Sequence, residues 1–272
     1  MNKTILITGS TDGIGLATAK TLAKFGHTVL LHGRSQSKLD SAKAQLLELT
    51  SETQVETYSA DLSVLSEVEA LASEVSAGHD SLDILINNAG VFVVPETVSV
   101  DGLDVRFVVN TIAPYLLTKR LLPLLGKSAR VINLSSAAQA PVNPDELTRP
   151  SSLSDSAVYA KSKLAITMWS MGLASSLVEG PVVIAVNPAS FLGSKMVKDA
   201  YGKQGGDLQK GADILVRAAL ADEFAQASGQ YFDNDIGQFT SPHLDAMDSA
   251  NVSNMVNSLE QILINFNIKN TQ

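Results

Sequence analysis

Cysteine is absent from the 272 residues, and this absence excludes disulfide bonds, thiolate zinc sites and cysteine nucleophiles. It fits a cytoplasmic protein, which is the location we expect, and no metal site is predicted. Long apolar runs are also lacking, since no stretch reaches the ~18 residues of a membrane-spanning helix. The first ten residues, MNKTILITGS, hold too short an apolar run to predict a signal peptide.

Basic residues are outnumbered, with 20 lysines and arginines against 28 aspartates and glutamates and a net charge of -8. This balance argues against nucleic acid or an anionic membrane surface as the main partner. The hydrophobic fraction of 45% and the charged fraction of 18% are ordinary for a globular protein. A chain of this length forms one large α/β domain or two small domains.

Short apolar runs alternate with helical patterns along the chain. The runs predict strands at 3–8, 28–32, 54–59, 82–87, 129–134 and 181–186. Such alternation indicates βαβ units and a parallel sheet, and nearly unbroken apolar strands indicate helices on both faces. Because no linker divides the chain, we predict a single Rossmann-type α/β domain over 1–272, a doubly wound parallel sheet in three α/β/α layers. The Pro- and Ser-rich stretch 140–156 is predicted to be a long loop.

A glycine cluster, TGSTDGIG at 8–15, follows the first predicted strand and opens a helix. Glycines at such a turn let the backbone approach a pyrophosphate, and the helix N-terminus offers free N–H groups. The spacing G-x-x-x-G-x-G is a weak signal alone, and a plain tight turn is the alternative. We predict that this loop binds a dinucleotide through six residues: Gly9, Ser10, Thr11, Gly13, Ile14 and Gly15.

Three further segments follow predicted strands at the edge where such folds bind ligands. ADLS places Asp61 and Leu62 near the adenine, although Asp61 would equally cap a helix. LSS ends the fifth strand, and we expect its two hydroxyls to face the same crevice unless they are solvated loop serines. NNAG ends the fourth strand, and its Asn88, Ala89 and Gly90 are predicted to bind the cofactor unless the segment is a plain turn. The two hydroxyls of LSS belong to Ser135 and Ser136.

Tyr159 and Lys163 lie four residues apart in a predicted helix, so both project from one face. Two unit charges about 4 Å apart at an effective dielectric of ~20 interact by roughly 4 kcal/mol. That energy would lower the pKa of a tyrosine by up to ~3 units and make the phenol a proton donor near neutrality. A surface pair on an ordinary helix is the alternative.

Pro114 interrupts the helical stretch VRFVVNTIAPYLL. Because proline has no N–H to give the carbonyl of Asn110, we expect a kink and a free acceptor at Asn110. A kink with a purely structural role is the alternative.

Together, TGSTDGIG, NNAG, Asn110, Ser136 and the Tyr159–Lys163 pair resemble the short-chain dehydrogenase/reductase family over nearly the whole chain. GRSQSKL and SGQYFDND are most similar to the retinol-dehydrogenase-like and protochlorophyllide-reductase-like branches. Two departures are Ala189, where the family usually has glycine, and Asp12, where many NADP-dependent relatives have a basic or small residue.

The resemblance implies an oxidoreductase in which Tyr159 protonates a substrate carbonyl and Ser136 hydrogen-bonds the same oxygen. It implies that Lys163 lowers the tyrosine pKa and binds the nicotinamide ribose with Tyr159, while Asn110 helps hold a water in a proton relay. It also implies cofactor contacts from two residues after the sixth strand, Pro188 and Phe191. Many relatives form dimers or tetramers, which would make a homo-oligomer.

Arg34 follows the second strand, where dinucleotide folds meet the adenosine ribose. A guanidinium suits a 2′-phosphate, and no acid lies between His32 and Lys38, so NADP(H) is preferred over NAD(H). Asp12 opposes this preference by its charge, and a solvated arginine that starts the next helix is the alternative.

Apolar side chains after NNAG and in a predicted lid over 190–206 suggest a mostly apolar aldehyde or ketone as the small-molecule substrate. Core packing would explain some of them equally well. They are Phe92, Phe191, Leu192, Met196 and Tyr201. A serine hydrolase is disfavoured because no G-x-S-x-G is present and the four histidines have no evident catalytic setting. The remaining alternative is a non-enzymatic NADP(H)-binding regulator.

Overall fold

The computed structural model describes residues 2–50, 53–202 and 204–266, and eight strands of this part form one sheet. The strands are β1 (Thr4–Ile7), β2 (Thr28–Gly33), β3 (Val55–Ser59), β4 (Ile84–Asn87), β5 (Arg130–Leu134), β6 (Val182–Asn187), β7 (Tyr231–Asp233) and β8 (Gln238–Thr240). Their order is β3-β2-β1-β4-β5-β6-β7-β8, with β8 alone antiparallel to its neighbour. The strand order reverses between β1 and β4, as in a doubly wound fold.

Helices cover both faces of this sheet. They are α1 (Gly13–Lys24), α2 (Gln36–Leu47), α3 (Leu65–Gly78), α4 (Val105–Phe107), α5 (Ala113–Leu121), α6 (Asp155–Ser176), α7 (Lys195–Tyr201), α8 (Leu208–Leu220), α9 (Leu244–Met247) and α10 (Ser249–Asn265). One layer contains α1, α2 and α8, and the other contains α3, α5, α6 and α10. The three-layer Rossmann-type fold is thereby confirmed. Within the described residues, no helix is both long enough and apolar enough to cross a membrane.

Alternate residues of each strand enter two separate cores, because successive side chains in a strand point to opposite faces. Leu6, Leu85 and Val131 pack under α3, α5, α6 and α10. Ile7 and Ile86 pack under α1, α2 and α8. This double burial is the reason that the strands are almost continuously apolar.

The six predicted strands are all present, with ends shifted by no more than two residues. β7 and β8 were not predicted, because three residues are too few to establish an alternating pattern. The predicted loop at 140–156 contains one 3-10 turn, Pro144–Thr148, which begins with a capping box at Asn143. The last two residues of the predicted loop belong to α6 instead.

The disturbance expected from Pro114 takes the form of a π-helical turn, Val108–Ile112, between α4 and α5. The Ala113 N–H donates to the Val108 carbonyl, five residues back. Pro114 then lies in the first turn of α5, where a missing N–H costs little.

Candidate active site

The carboxyl ends of β1 and β4 meet at the reversal of strand order, and two loops pack closely there. Gly9 has a φ of +63°, and a Cβ on it would lie 2.9 Å from Ala89 Cα. A Cβ on Gly15 would lie 2.4 Å from the Gly9 carbonyl oxygen. Gly13, by contrast, has open space within 4 Å of its Cβ position, at the start of α1. The loop is therefore tight inside and open where a ligand would approach.

NNAG braces the glycine loop from the side. Asn88 Nδ2 donates to the carbonyl oxygens of Thr8 and Gly9 at 2.8 and 3.0 Å. The Thr8 hydroxyl accepts the N–H groups of Asn88 and Ala89, both at 3.0 Å. Asn88 and Ala89 thus hold Gly9 in position by hydrogen bonds within the protein, directly and through Thr8.

His32, at the end of β2, supports the glycine loop, and the sequence analysis did not predict this. Its Nδ1 accepts the Gly9 N–H at 3.2 Å, so Nε2 carries the proton and donates to the Ala60 carbonyl at 3.1 Å. Burial lowers the pKa of His32 to about 4. The buried Ser10 hydroxyl accepts the His32 N–H at 2.9 Å, so Ser10 also holds the loop. A histidine inside the apolar run TVLLH was the signal in the sequence.

Arg34 and Asp61 lie together where β2 and β3 end. Arg34 Nη1 is 3.5 Å from Asp61 Oδ2, and the arginine side chain is 69% exposed. Asp61 also accepts the backbone N–H and the hydroxyl of Ser63. It does not cap α3, which was the alternative role considered for it, because the residue before that helix is Val64. Asp12 caps α1 by accepting the Gly13 N–H at 2.7 Å.

Three other predicted cofactor residues make contacts within the protein. The Leu62 side chain is buried in the core beneath α3. Thr11 lies against Gly33, where a Cβ would be 2.7 Å from Thr11 Cγ2. Ile14 lies against Gly211 of α8, so its side chain connects α1 to that helix.

Tyr159 and Lys163 both belong to α6, and the structure brings them together as predicted. Lys163 Nζ lies 5.6 Å from the centroid of the Tyr159 ring and donates to the Leu134 carbonyl at 2.7 Å. The lysine is almost fully buried, and this desolvation lowers its pKa to about 8. Gly90 lies beside the ammonium, since a Cβ there would be in ordinary contact with Nζ at 3.6 Å and closer to Asn110 Oδ1 at 3.3 Å.

Asn110 lies in the π turn and ties α6 to the loop after β4. Its Nδ2 donates to the Val91 carbonyl at 2.8 Å and to Ser162 Oγ at 3.0 Å, while its Oδ1 accepts the Val91 N–H at 2.8 Å. Ser162 Oγ donates in turn to the Tyr159 carbonyl at 2.7 Å. Asn110 is therefore two hydrogen bonds away from the main chain of the predicted catalytic tyrosine.

The two serines after β5 point in different directions, which corrects the expectation that both face the crevice. The Ser135 hydroxyl is buried and bonded to Thr167 Oγ1 at 2.6 Å, beneath α6. Ser136 is partly exposed, and its Oγ accepts the Ala138 N–H at 3.1 Å. Tyr231 and Gln139 both donate to the Ser136 carbonyl, at 3.1 and 3.0 Å. These two positioning contacts were also missed.

The apolar candidates divide between pocket and core. The Phe92 ring lies 4.6 Å from the Tyr159 ring, centroid to centroid. Leu192 is buried against Gly211, where a Cβ would be 2.5 Å from Leu192 Cδ1, so packing explains it. Phe191 is 63% exposed, and Met196 Cε lies 3.7 Å from the Cβ position of Gly90. The Tyr201 side chain and Lys203 lie outside the described part of the chain.

Comparison with known proteins agrees with this geometry. Residues 3–205 match the family model described as short chain dehydrogenase. Human retinol dehydrogenase 13 is 32% identical over 251 residues, covering 85% of this chain and 76% of that protein. Human polyprenol dehydrogenase is 36% identical over 180 residues, covering 63% of this chain and 54% of that protein. This match thus spans about half the length of polyprenol dehydrogenase.

Two solved structures have a similar fold. An uncharacterised protein from Mycobacterium paratuberculosis superimposes with a TM-score of 0.78 and 27% identity, covering 95% of this chain and 92% of that one. A short-chain dehydrogenase from Burkholderia cenocepacia, solved with NADP, gives a TM-score of 0.69 and 25% identity, covering 85% and 95%. The chain belongs to the short-chain dehydrogenase/reductase family and is an oxidoreductase that acts on CH–OH or C=O groups.

Proposed function

We propose that the protein interconverts a mostly apolar aldehyde or ketone and its alcohol with NADP(H) as the cofactor. The observation that carries this proposal is the buried Lys163 ammonium beside the Tyr159 ring, with the Phe92 ring against the same tyrosine. The names of two relatives, retinol dehydrogenase and polyprenol dehydrogenase, refer to large apolar alcohols and support the substrate class.

The residues present fit a dinucleotide. Gly13 leaves open space at the N-terminus of α1, where free N–H groups and the helix dipole favour a pyrophosphate. Arg34 projects into solvent at the end of β2, where the adenosine ribose would lie. When bound, the nicotinamide supplies or accepts the hydride.

The protein's own side chains would handle the proton. The Tyr159 hydroxyl donates a proton to the carbonyl oxygen during reduction and recovers it during alcohol oxidation. The Ser136 hydroxyl donates a hydrogen bond to the same oxygen and fixes its position. The Lys163 ammonium favours the phenolate that remains on Tyr159. A proton relay at Asn110 stays a prediction.

The preference for NADP(H) over NAD(H) depends on Arg34. Its pairing with Asp61 is long and exposed, and such pairs contribute only about 0–1 kcal/mol, so exchange for a phosphate costs little. A charge-assisted bond contributes about 1.5–3 kcal/mol, so Arg34→Ala should raise the KM for NADPH roughly 10- to 100-fold and leave that for NADH nearly unchanged. Lys24→Ala, at the far end of α1, removes the same charge and serves as the control. Equal KM values of the wild type for both cofactors, or a parallel loss for both in Arg34→Ala, would refute the preference.

The activity itself is tested with a panel of apolar aldehydes and ketones, following NADPH oxidation and identifying products by mass spectrometry. We expect turnover by the wild type and none by Tyr159→Phe, with NADPH binding retained in the variant. Tight NADPH binding without turnover on any carbonyl would instead favour a regulator. A lid over 190–206, a homo-oligomer and a cytoplasmic location remain predictions.

A further inference from the structure

The segment that follows β6 adopts a backbone conformation that is unfavourable for its residues. Ala189 has a φ of 116° and Phe191 a φ of 52°, and these are the two non-glycine residues at positive φ among those described. A side chain with a Cβ disfavours this region, so the surrounding structure must hold the segment in place. We call Pro188–Phe191 the β6 turn.

The hairpin between β7 and β8 supplies that hold through Asp235. One carboxylate oxygen, Oδ1, accepts the Ser190 N–H at 2.8 Å. The other, Oδ2, accepts the Ser190 hydroxyl at 2.6 Å and Asn187 Nδ2 at 2.9 Å. Beside it, Asn234 Nδ2 donates to the Pro188 carbonyl at 3.0 Å. The hairpin therefore fixes the chain on both sides of Ala189.

The β6 turn continues directly into the 190–206 segment, whose two ends are hydrogen-bonded to each other. The Phe191 carbonyl accepts the Gly206 N–H at 2.8 Å, and the Gly193 N–H donates to the Gly206 carbonyl at 2.7 Å. Leu192 pairs with Gly206 as an isolated parallel bridge. Met196, further along this segment, reaches the Gly90 region beside Lys163. A shift of the β6 turn would therefore move these contacts with Gly206, and with them Met196 beside Lys163.

We infer that Asp235 is a positioning residue, whose carboxylate keeps the β6 turn in its unfavourable conformation and so shapes the nicotinamide end of the cofactor site. It acts through Ser190 and Asn187. The inference rests on the proposed function, since the β6 turn contains two predicted cofactor residues, Pro188 and Phe191. The carboxylate matters because all three of its partners are donors, and hydrogen bonds to an ionised acceptor are stronger than neutral ones.

The test compares Asp235→Asn with the double variant Asp235→Asn/Ala189→Gly. In the single variant, the amide nitrogen of the new side chain replaces one acceptor oxygen and cannot accept from Ser190 or Asn187. The β6 turn should then leave its unfavourable conformation, and we expect the KM for NADPH to be about tenfold higher. Glycine adopts a φ of 116° freely, so the double variant should return to within about threefold of the wild-type KM. Asp80→Asn is the control, because it makes the same chemical change at an exposed aspartate between α3 and β4, away from the hairpin.

A second measurement does not depend on cofactor binding. In the free protein, amide hydrogen exchange at 189–193 should accelerate in Asp235→Asn, slow again in the double variant, and change little in Asp80→Asn. Wild-type exchange and KM in Asp235→Asn, or failure of the glycine substitution to restore either quantity, would overturn the inference. If the wild type fails to bind NADPH while the exchange pattern holds, the proposed function fails and the structural role of Asp235 stands.

Discussion

Arg106 is the side chain whose replacement should damage the fold most clearly. It lies at the start of α4 and is 2% exposed. Its Nε and Nη2 donate to the two carboxylate oxygens of Asp104 at 2.9 and 2.6 Å, and its Nη1 donates to Asp155 at 2.6 Å. Asp155 begins α6, one turn before Tyr159. The guanidinium thus joins α4 to the beginning of the helix that carries Tyr159 and Lys163.

The cost of Arg106→Met follows from the burial of its partner. Asp104 is fully buried, so the variant would leave a carboxylate out of contact with both water and a cation. Breaking a buried ion pair in this way costs about 3–5 kcal/mol. For a domain of this size each kcal/mol lowers the melting temperature by about 2–4 °C, so the expected loss is roughly 6–20 °C.

The assay is thermal unfolding followed by circular dichroism, together with urea denaturation for the free energy of unfolding. Adding Asp104→Asn to Arg106→Met removes the buried, unpaired charge and should recover about 1–3 kcal/mol of the free energy of unfolding. Lys127→Met breaks an exposed pair with Glu179 and should cost less than about 1 kcal/mol. A double variant no more stable than Arg106→Met alone would refute the argument from burial.

Two further predictions concern the site. The pKa of Lys163 is lowered by burial to about 8 from 10.5, so the folded lysine loses its proton before the unfolded one. The free energy of unfolding of the free protein should therefore rise by up to about 1.4 kcal/mol per pH unit between the two pKa values, about 8 and 10.5. Urea titrations should show no such rise in Lys163→Met, and an equal rise in both proteins would contradict the assignment. Gly15→Ala would place a Cβ 2.4 Å from a backbone oxygen, whereas Gly13→Ala meets open space and only a positive φ. Gly15→Ala should thus lower the melting temperature more than Gly13→Ala does, and the reverse order would refute the packing argument.

The sequence patterns predicted the central sheet well because burial on both faces leaves a strong apolar signal. They also predicted the Tyr159–Lys163 pair, because helical spacing alone puts residues four apart on one face. The opposite directions of Ser135 and Ser136 could also have been predicted from the sequence. Val131 faces the α6 layer, and alternation along β5 places Ser135 on the same face.

Other contacts depend on segments distant in the chain, and no local pattern indicates them. Asp235 is 45 residues from Ser190, and Asp155 is 49 residues from Arg106. Arg34 was considered with its neighbours in sequence, yet its carboxylate partner, Asp61, comes from the end of β3. Such pairings follow from the strand order of the assembled sheet.

The imidazole of His32 gives the glycine loop a tolerance to acid that an exposed histidine would not provide. A protonated ring has no lone pair left for the Gly9 N–H, so protonation would cost the loop one of its supports. Because burial lowers the pKa of His32 to about 4, the ring stays neutral throughout the range in which ordinary histidines titrate. The same ring donates to the Ala60 carbonyl through its other nitrogen, so in a mildly acidic medium protonation of His32 disturbs neither of these hydrogen bonds.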